Sequence, residues 1–438
     1  MATSHLRTAL TASWTALHTT QYGLAITSLN GVQAAVTCGA AGGNVGAHVL
    51  STQRLKDCIF MTPAQFGLVV SIFTLGGLIG SLGATAVTHQ LGRIGTFRLA
   101  AITVLLGSTA VGTANSIPIM IIGRILVGLG CGLGTVTVPV FLSEIAPPAI
   151  KRSLGIMNQV FIVFGMLIGQ SLSFPFAKPY LWRYVLIASA GIAVLQLAGS
   201  FFIREPAKET HDPEEAREHS PLVSPSEIVP LGIKDLLASK DPLVTRGFLV
   251  VLVTQLSQQF CGVSPVMYFS TRILTPVFGD NSRMVALFII LLKIPLTILP
   301  AFLIERLGTR RLLIVPTAVM GLAAFLLAFG INTDAPALSI ASIFLFVSAF
   351  SVGLGPVTWV VLPEVMPKHA VTAAGSVGVA LNWTANFCMG AAFLPLQQWM
   401  SGGKETGEGN IFFVLAVTCV CAMLAMKVAF KVRERVAL

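Results

Sequence analysis

Seven side-chain amides, Gln159, Gln170, Gln255, Gln258, Gln259, Asn382 and Asn386, lie inside long apolar runs of this chain. An amide donates and accepts at once, which suits a neutral ligand rich in hydroxyls. The plainer reading is interhelical glue, since polar side chains also tie helices together in lipid. The cluster spans both halves of the chain, with Trp359 and Trp383 beside it, and that spread favours a ligand site. Two cations, Arg124 and Lys293, also fall within apolar runs, where a charge is costly and usually functional.

The acids are placed differently. The first carboxylate in the chain is Asp57, and Glu144, Glu305 and Glu364 fall at the ends of apolar runs. No acid sits where it could alternate between charged and neutral at mid-bilayer, which disfavours proton coupling. Lys293 is the remaining candidate for such a role. No catalytic constellation, metal-ligand spacing or GxxxxGK[ST] phosphate loop occurs, so neither an enzyme nor a metal or cofactor requirement is expected.

The elements that must carry these residues follow from composition. Apolar residues make up 54% of the 438, and charged residues only 11%. The mean hydropathy is +0.82. No soluble core could bury so much apolar surface, so the solvent is lipid. Runs of spanning length lie near 12–36, 63–87, 97–115, 118–142, 154–176 and 181–203, then near 246–273, 284–304, 311–331, 337–362, 372–395 and 411–430. The expected fold class is an all-α membrane protein with twelve transmembrane helices in two six-helix halves. The expected organisation is an N-terminal bundle over 1–203, a polar linker over 204–245, a C-terminal bundle over 246–430 and a short tail over 431–438.

The linker holds nine of the eighteen acids and prolines at 206, 213, 221, 225 and 230, so it cannot insert, and short surface helices are expected there. Placing the termini and linker in the cytoplasm puts nineteen Lys and Arg inside and seven outside, the positive-inside pattern. The formal charge of +10 has no solvated basic patch behind it, which excludes nucleic acid as a partner. Cys38 and Cys58 bracket a Gly-rich loop and could pair in an oxidising compartment. No Asn-x-Ser/Thr acceptor lies in an outer loop, which fits a plasma membrane or an internal, vacuolar-type membrane equally.

The halves echo each other. His89-Gln-Leu-Gly-Arg93 is matched by Glu305-Arg-Leu-Gly-Thr-Arg310, and Phe-Leu-Ser-Glu144 by Val-Leu-Pro-Glu364, at an offset of about 216–220 residues. Gly123-Arg124-Ile-Leu-Val-Gly128-Leu-Gly-Cys-Gly132 places glycines four apart on one helix face, a close-packing pattern. Gly353-Leu-Gly355-Pro356 interrupts the tenth run just before Trp359, as a kink or a gating hinge.

Together these segments resemble the sugar porter family of the major facilitator superfamily, in particular facilitative hexose transporters and their fungal relatives. The most specific pieces are GRILVG, PVFLSEIAPPAIKRS, Gln255-Leu-Ser-Gln258-Gln259, GLGPVTW, Asn382-Trp383-Thr-Ala-Asn386 and Gln65-Phe-Gly-Leu-Val-Val-Ser71. The resemblance implies alternating access by a monomer to a sugar or polyol at a central site. It places Gln159, Gln258, Gln259, Trp359, Asn382 and Trp383 in contact with substrate. It also assigns Arg93, Arg124, Glu144, Arg152, Arg310 and Glu364 to a cytoplasmic charge latch, with Glu205 and Glu434 as looser matches. Departures are equally specific. Ser264 and Lys293 stand where relatives offer Asn, Ser351 where many carry Glu, and Ala25 where proton symporters carry Asp. His89, Gln90 and Ile94 replace customary charged residues of the loop after the second run. A passive facilitator is expected, and two alternatives stay open: a non-transporting sensor, and a coupled transporter of an anionic sugar-like substrate using Lys293.

Overall fold

The computed structural model describes residues 2–38, 55–145, 151–203, 232–402 and 407–437. It is helical nearly throughout, because a chain in lipid must pair every backbone N–H and C=O within itself. The first span is Ala2–Thr27, continued by a turn and the short helix Gln33–Val36. Pro63–Ser71 and the helix from Phe73 to the kink at Gly92 form the second, and residues 93–112 the third. Ile117–Ile145, Lys151–Phe176 and Arg183–Gly199 complete the first six.

After the short helix Ile233–Ala238 comes the seventh span, Pro242–Phe260 with Val263–Phe278. The eighth is Ser282–Ile298 with Pro300–Leu307, and the ninth Thr309–Asn332. The tenth is Pro336–Val352 with Leu354–Val365; Val371–Ser401 and Asn410–Ala437 are the last two. The twelve expected spans are therefore present, most with ends within a few residues of the sequence reading. The linker expectation over 204–231 lies outside the described residues.

Sequence explains the breaks. Gly92 and Gly308 both adopt positive φ, 73° and 74°, with extended ψ. A side chain would be strained there, so glycine at both positions of the repeated Gln/Arg-Leu-Gly segment lets the chain reverse into the next span. The second span starts sharply because Thr62 and Gln65 cap it reciprocally: Gln65 N–H donates to Thr62 Oγ1 at 3.2 Å, and Thr62 N–H to Gln65 Oε1 at 2.9 Å. In the fourth span, a Cβ on Gly128 would lie 1.8 Å from the Phe73 carbonyl oxygen, so only glycine permits this approach of the second and fourth spans.

We call the end carrying the chain termini the near end and the opposite end the far end. At the far end Cys38 and Cys58 form a disulfide. Beside it the Arg183 guanidinium gathers the carbonyls of Gly112, Ala114 and Lys56 at 2.9, 2.7 and 2.6 Å. Tyr180 N–H and the Trp182 indole both donate to the Asp57 carbonyl.

The halves meet mainly at this far end. Among the described residues, every hydrogen bond between them involves Asn30 or Gln170. Asn30 Nδ2 donates to Ser270 Oγ at 2.7 Å, and Thr271 N–H donates to Asn30 Oδ1 at 3.1 Å. Gln170 Nε2 donates to Thr271 Oγ1 and the Arg283 carbonyl, both at 3.4 Å, while its Oε1 accepts from Asn30 at 3.0 Å.

Candidate functional site

Below that clasp, toward the near end, the amides of the seventh and eleventh spans form one connected network. Ser264 Oγ donates to Gln259 Oε1 at 2.6 Å, and Gln259 Nε2 donates to Asn382 Oδ1 at 3.0 Å. Asn382 Nδ2 donates to Gln258 Oε1 at 2.7 Å and Gln255 Oε1 at 2.9 Å. Gln258 Nε2 then donates to the carbonyls of Leu354 and Gly355 at 2.7 and 3.0 Å. These carbonyls follow immediately on the break at Gly353, so the interrupted tenth span is tied to the site through Gln258. All five side chains are buried. Buried amides must be paired, and here they pair with one another; a hydroxylated ligand can substitute for these bonds group by group.

An aromatic wall joins this network to the other half. Trp383 is buried and meets the Tyr22 ring edge-on at 5.5 Å. Tyr268 donates to Asn386 Oδ1 at 2.8 Å, and its ring meets Phe73 at 5.9 Å. Tyr22 and Tyr268 were missed in the sequence reading, yet only four tyrosines occur in the chain, and that scarcity in an apolar sequence was the available signal. Trp359 stands apart from the network. It is 45% exposed, on the near-end part of the tenth span, with no hydrogen bond or ring contact among the described residues.

Depth can be worked from helix rise. Gln170, Thr271 and Arg283 share the level of the far-end clasp. Gln159 lies eleven residues below Gln170, Gln259 twelve below Thr271, and Lys293 ten beyond Arg283 on the descending eighth span. At about 1.5 Å per residue all three sit roughly 15–18 Å beneath the clasp, at one common level. Gln159 is half-buried there. Lys293 is 4% exposed, with its Nζ 5.1 Å from the Phe350 ring centroid. Gln170, grouped with the ligand amides in the sequence, belongs to the clasp instead. Ser351 bonds its own helix at the Val347 carbonyl.

The expected charge latch is rearranged. Arg93 reaches Glu144 through two bonds, Nε to Oε2 at 3.1 Å and Nη2 to Oε1 at 2.5 Å. Arg310 does not meet Glu364; it pairs with Glu434 at 2.6 Å. Glu364 accepts instead from the Thr309 hydroxyl, and its carbonyl from Arg433 at 3.0 Å. The repeat explains this, because 93 plus the offset of 216 lands on Thr309, the residue directly after Gly308, and not on Arg310. The side chain of Arg152 lies outside those described.

Arg124 must be removed from the latch. It sits seven residues into the fourth span from the far end, twenty residues from Glu144, or about 30 Å along the helix. Its guanidinium donates to the carbonyls of Val69, Ala25 and Val70 at 3.3, 3.1 and 2.8 Å, and lies 4.5 Å from the Phe73 ring centroid. It therefore clamps the first, second and fourth spans about 10 Å in from the far end. The glycines of the fourth span bring the backbones close enough for this contact.

Among the described residues no cluster of His, Cys, Asp or Glu could hold a metal ion. Comparison with known proteins gives a consistent picture. The model of the family described as "Sugar (and other) transporter" matches residues 11–437. A probable metabolite transport protein of Saccharomyces cerevisiae is 28% identical, covering 94% of this chain and 90% of the relative. A vacuolar protein sorting-associated protein of the same yeast is 27% identical over 87% of this chain and 86% of its own. The mouse facilitated glucose transporter member 3 of solute carrier family 2 is 28% identical, over 78% and 76%. The inward-open xylose transporter XylE of E. coli superposes with a TM-score of 0.74 at 19% identity, over 97% of this chain and 95% of that one. That likeness establishes the major facilitator fold. The chain belongs to the sugar (and other) transporter family and is an integral membrane transporter, not an enzyme.

Proposed function

We propose that this protein carries a monosaccharide or related polyol across its membrane by alternating access, as a passive facilitator. The observation that carries the reading is the buried amide network Ser264–Gln259–Asn382–Gln258 of the C-terminal half, next to the Trp383–Tyr22 contact with the other half and tied to the broken tenth span. Hydroxyls can exchange for its internal bonds, and movement of the Leu354–Val365 segment would follow occupancy through Gln258. Trp359, on that segment, would close over the substrate when the near end shuts. The excess of basic residues at the near end supports a cytoplasmic location for the termini. With the clasp closed, the conformation is then the inward-facing one. The membrane is the plasma membrane or an internal, vacuolar-type one, and the working unit is a monomer.

Facilitation without protons is supported by the surroundings of Arg124. At the first-span position facing it the chain has Ala25, whose backbone carbonyl satisfies the guanidinium, so no carboxylate is there to take up a proton. The test is uptake of radiolabelled hexoses, pentoses, inositol and sugar acids into proteoliposomes by wild type and by Gln258→Ala/Gln259→Ala. Saturable uptake lost in the variant, with the protein still monodisperse, is expected. Undiminished uptake by the variant would sink the site assignment.

A further inference from the structure

Among the described residues three cations lie buried: Arg124, Arg183 and Lys293. Two are paired by the protein itself, although the Arg183 Nε has no partner among the described residues. Arg124 has three carbonyls and an aromatic face, and Arg183 has three carbonyls and the Asn115 amide oxygen. Lys293 differs. Among the described residues its ammonium has no hydrogen bond and no carboxylate, only the Phe350 ring at 5.1 Å. It cannot snorkel to an interface, since it sits eleven residues into the eighth span from Ser282, about 16 Å along the axis. Its inward placement is unambiguous, because Ala286, Ile289, Ile290 and Thr297 bury the same stripe of that helix.

A lone ammonium in such a place is costly unless an anion joins it. Nothing in the described protein is that anion, but the position adjoins the substrate site. Lys293 touches Phe350, Phe350 packs against Gly355, and the Gly355 carbonyl accepts from Gln258. Gln159 and Gln259 lie at the same depth. Resting on the transport reading above, we propose that the natural substrate is a sugar acid: a polyol whose hydroxyls engage the amide network and whose carboxylate pairs with Lys293. A single unpaired cation matches the single charge of a carboxylate better than a phosphate ester, which brings nearly two. The Phe350 ring lies against the ammonium, a cation–π contact that keeps it beside the residues linked to the site.

The test compares labelled D-glucuronate and D-glucose as probes in proteoliposomes containing wild type, Lys293→Gln and Lys293→Arg, with the membrane potential clamped at zero. Stabilisation of the purified proteins against heat by each compound serves as a second readout that does not need turnover. Glucuronate should be carried and bound in preference to glucose by wild type. The ratio of glucuronate to glucose uptake should fall at least tenfold in Lys293→Gln and be largely kept in Lys293→Arg. Glucose uptake with no glucuronate uptake or stabilisation, at a ratio indifferent to Lys293, overturns the inference and leaves the facilitator reading standing. If no member of the hexose, pentose, inositol and sugar-acid panel is bound or carried by wild type, both fall.

Discussion

The far-end clasp turns on Asn30, which makes three of its hydrogen bonds: to Gln170 Oε1, to Ser270 Oγ and from Thr271 N–H. The bond to Gln170 lies within the N-terminal half, but those to Ser270 and from Thr271 cross to the other half and exist only while the far end is closed. Asn30→Ala should therefore destabilise that state more than the open one. A net intramolecular hydrogen bond is worth roughly 0.5–1.5 kcal/mol, so the two crossing bonds give about 1–3 kcal/mol of differential energy. At about 1.4 kcal/mol per factor of ten, the closed-to-open ratio should fall between roughly fivefold and 150-fold. A 99:1 preference shifted a hundredfold becomes about even, and both states would then be visible. Spin labels on Lys178→Cys and Asp280→Cys, exposed far-end residues of opposite halves, would report this as a new long-distance component. The exposed Cys388 and Cys421 would be replaced first. A distance distribution identical to that of the parent would refute the claim that these bonds hold the halves together.

Other predictions follow from the same geometry. Arg124→Met removes the guanidinium donors from the carbonyls of Ala25, Val69 and Val70 in a dry interior, and should lower stability by about 2–5 kcal/mol in thermal melts. Arg124→Lys should rescue only part of this, because a point charge cannot serve three carbonyls as a guanidinium does. The Arg310–Glu434 pair is half-exposed, at 42% and 55%, so Arg310→Ala should change stability by less than about 1 kcal/mol on the same assay. Gln258→Leu cuts the tie to Leu354 and Gly355, and should reduce substrate affinity by roughly tenfold or more in equilibrium binding. Loss of the Cys38–Cys58 bond, which closes a separation of 20 residues, should lower stability by about 2–4 kcal/mol when both are changed to Ser.

The fold was legible because membrane spans declare themselves by length and hydropathy, and because Gly92 and Gly308 punctuate both halves at matching places. The break at Gly262 was not, since one glycine within an apolar run leaves no mark on its hydropathy. Residue type identified Gln258, Gln259 and Asn382 as a group, but pairing depends on how the seventh and eleventh spans are set against each other. Gln170 separated from them because eleven residues of helix carry it to the far end, something countable in the sequence. The same counting would have kept Arg124 away from Glu144. The offset of the repeat, applied strictly, would have pointed to Thr309. What no counting reveals is that Asn30, with Ser270 and Thr271, closes the halves: small polar residues become a clasp only when two helix ends meet.

The central claim is passive carriage of a sugar-like solute, and accumulation against an imposed proton gradient tests it most directly. Proteoliposomes with an acidic exterior and the membrane potential clamped at zero would be given labelled D-glucose and D-glucuronate and followed to equilibrium. The account predicts saturable entry that stops at equal concentrations inside and out, with or without the gradient. Accumulation well above that ratio, abolished by a protonophore, would contradict it and place a proton carrier in the site.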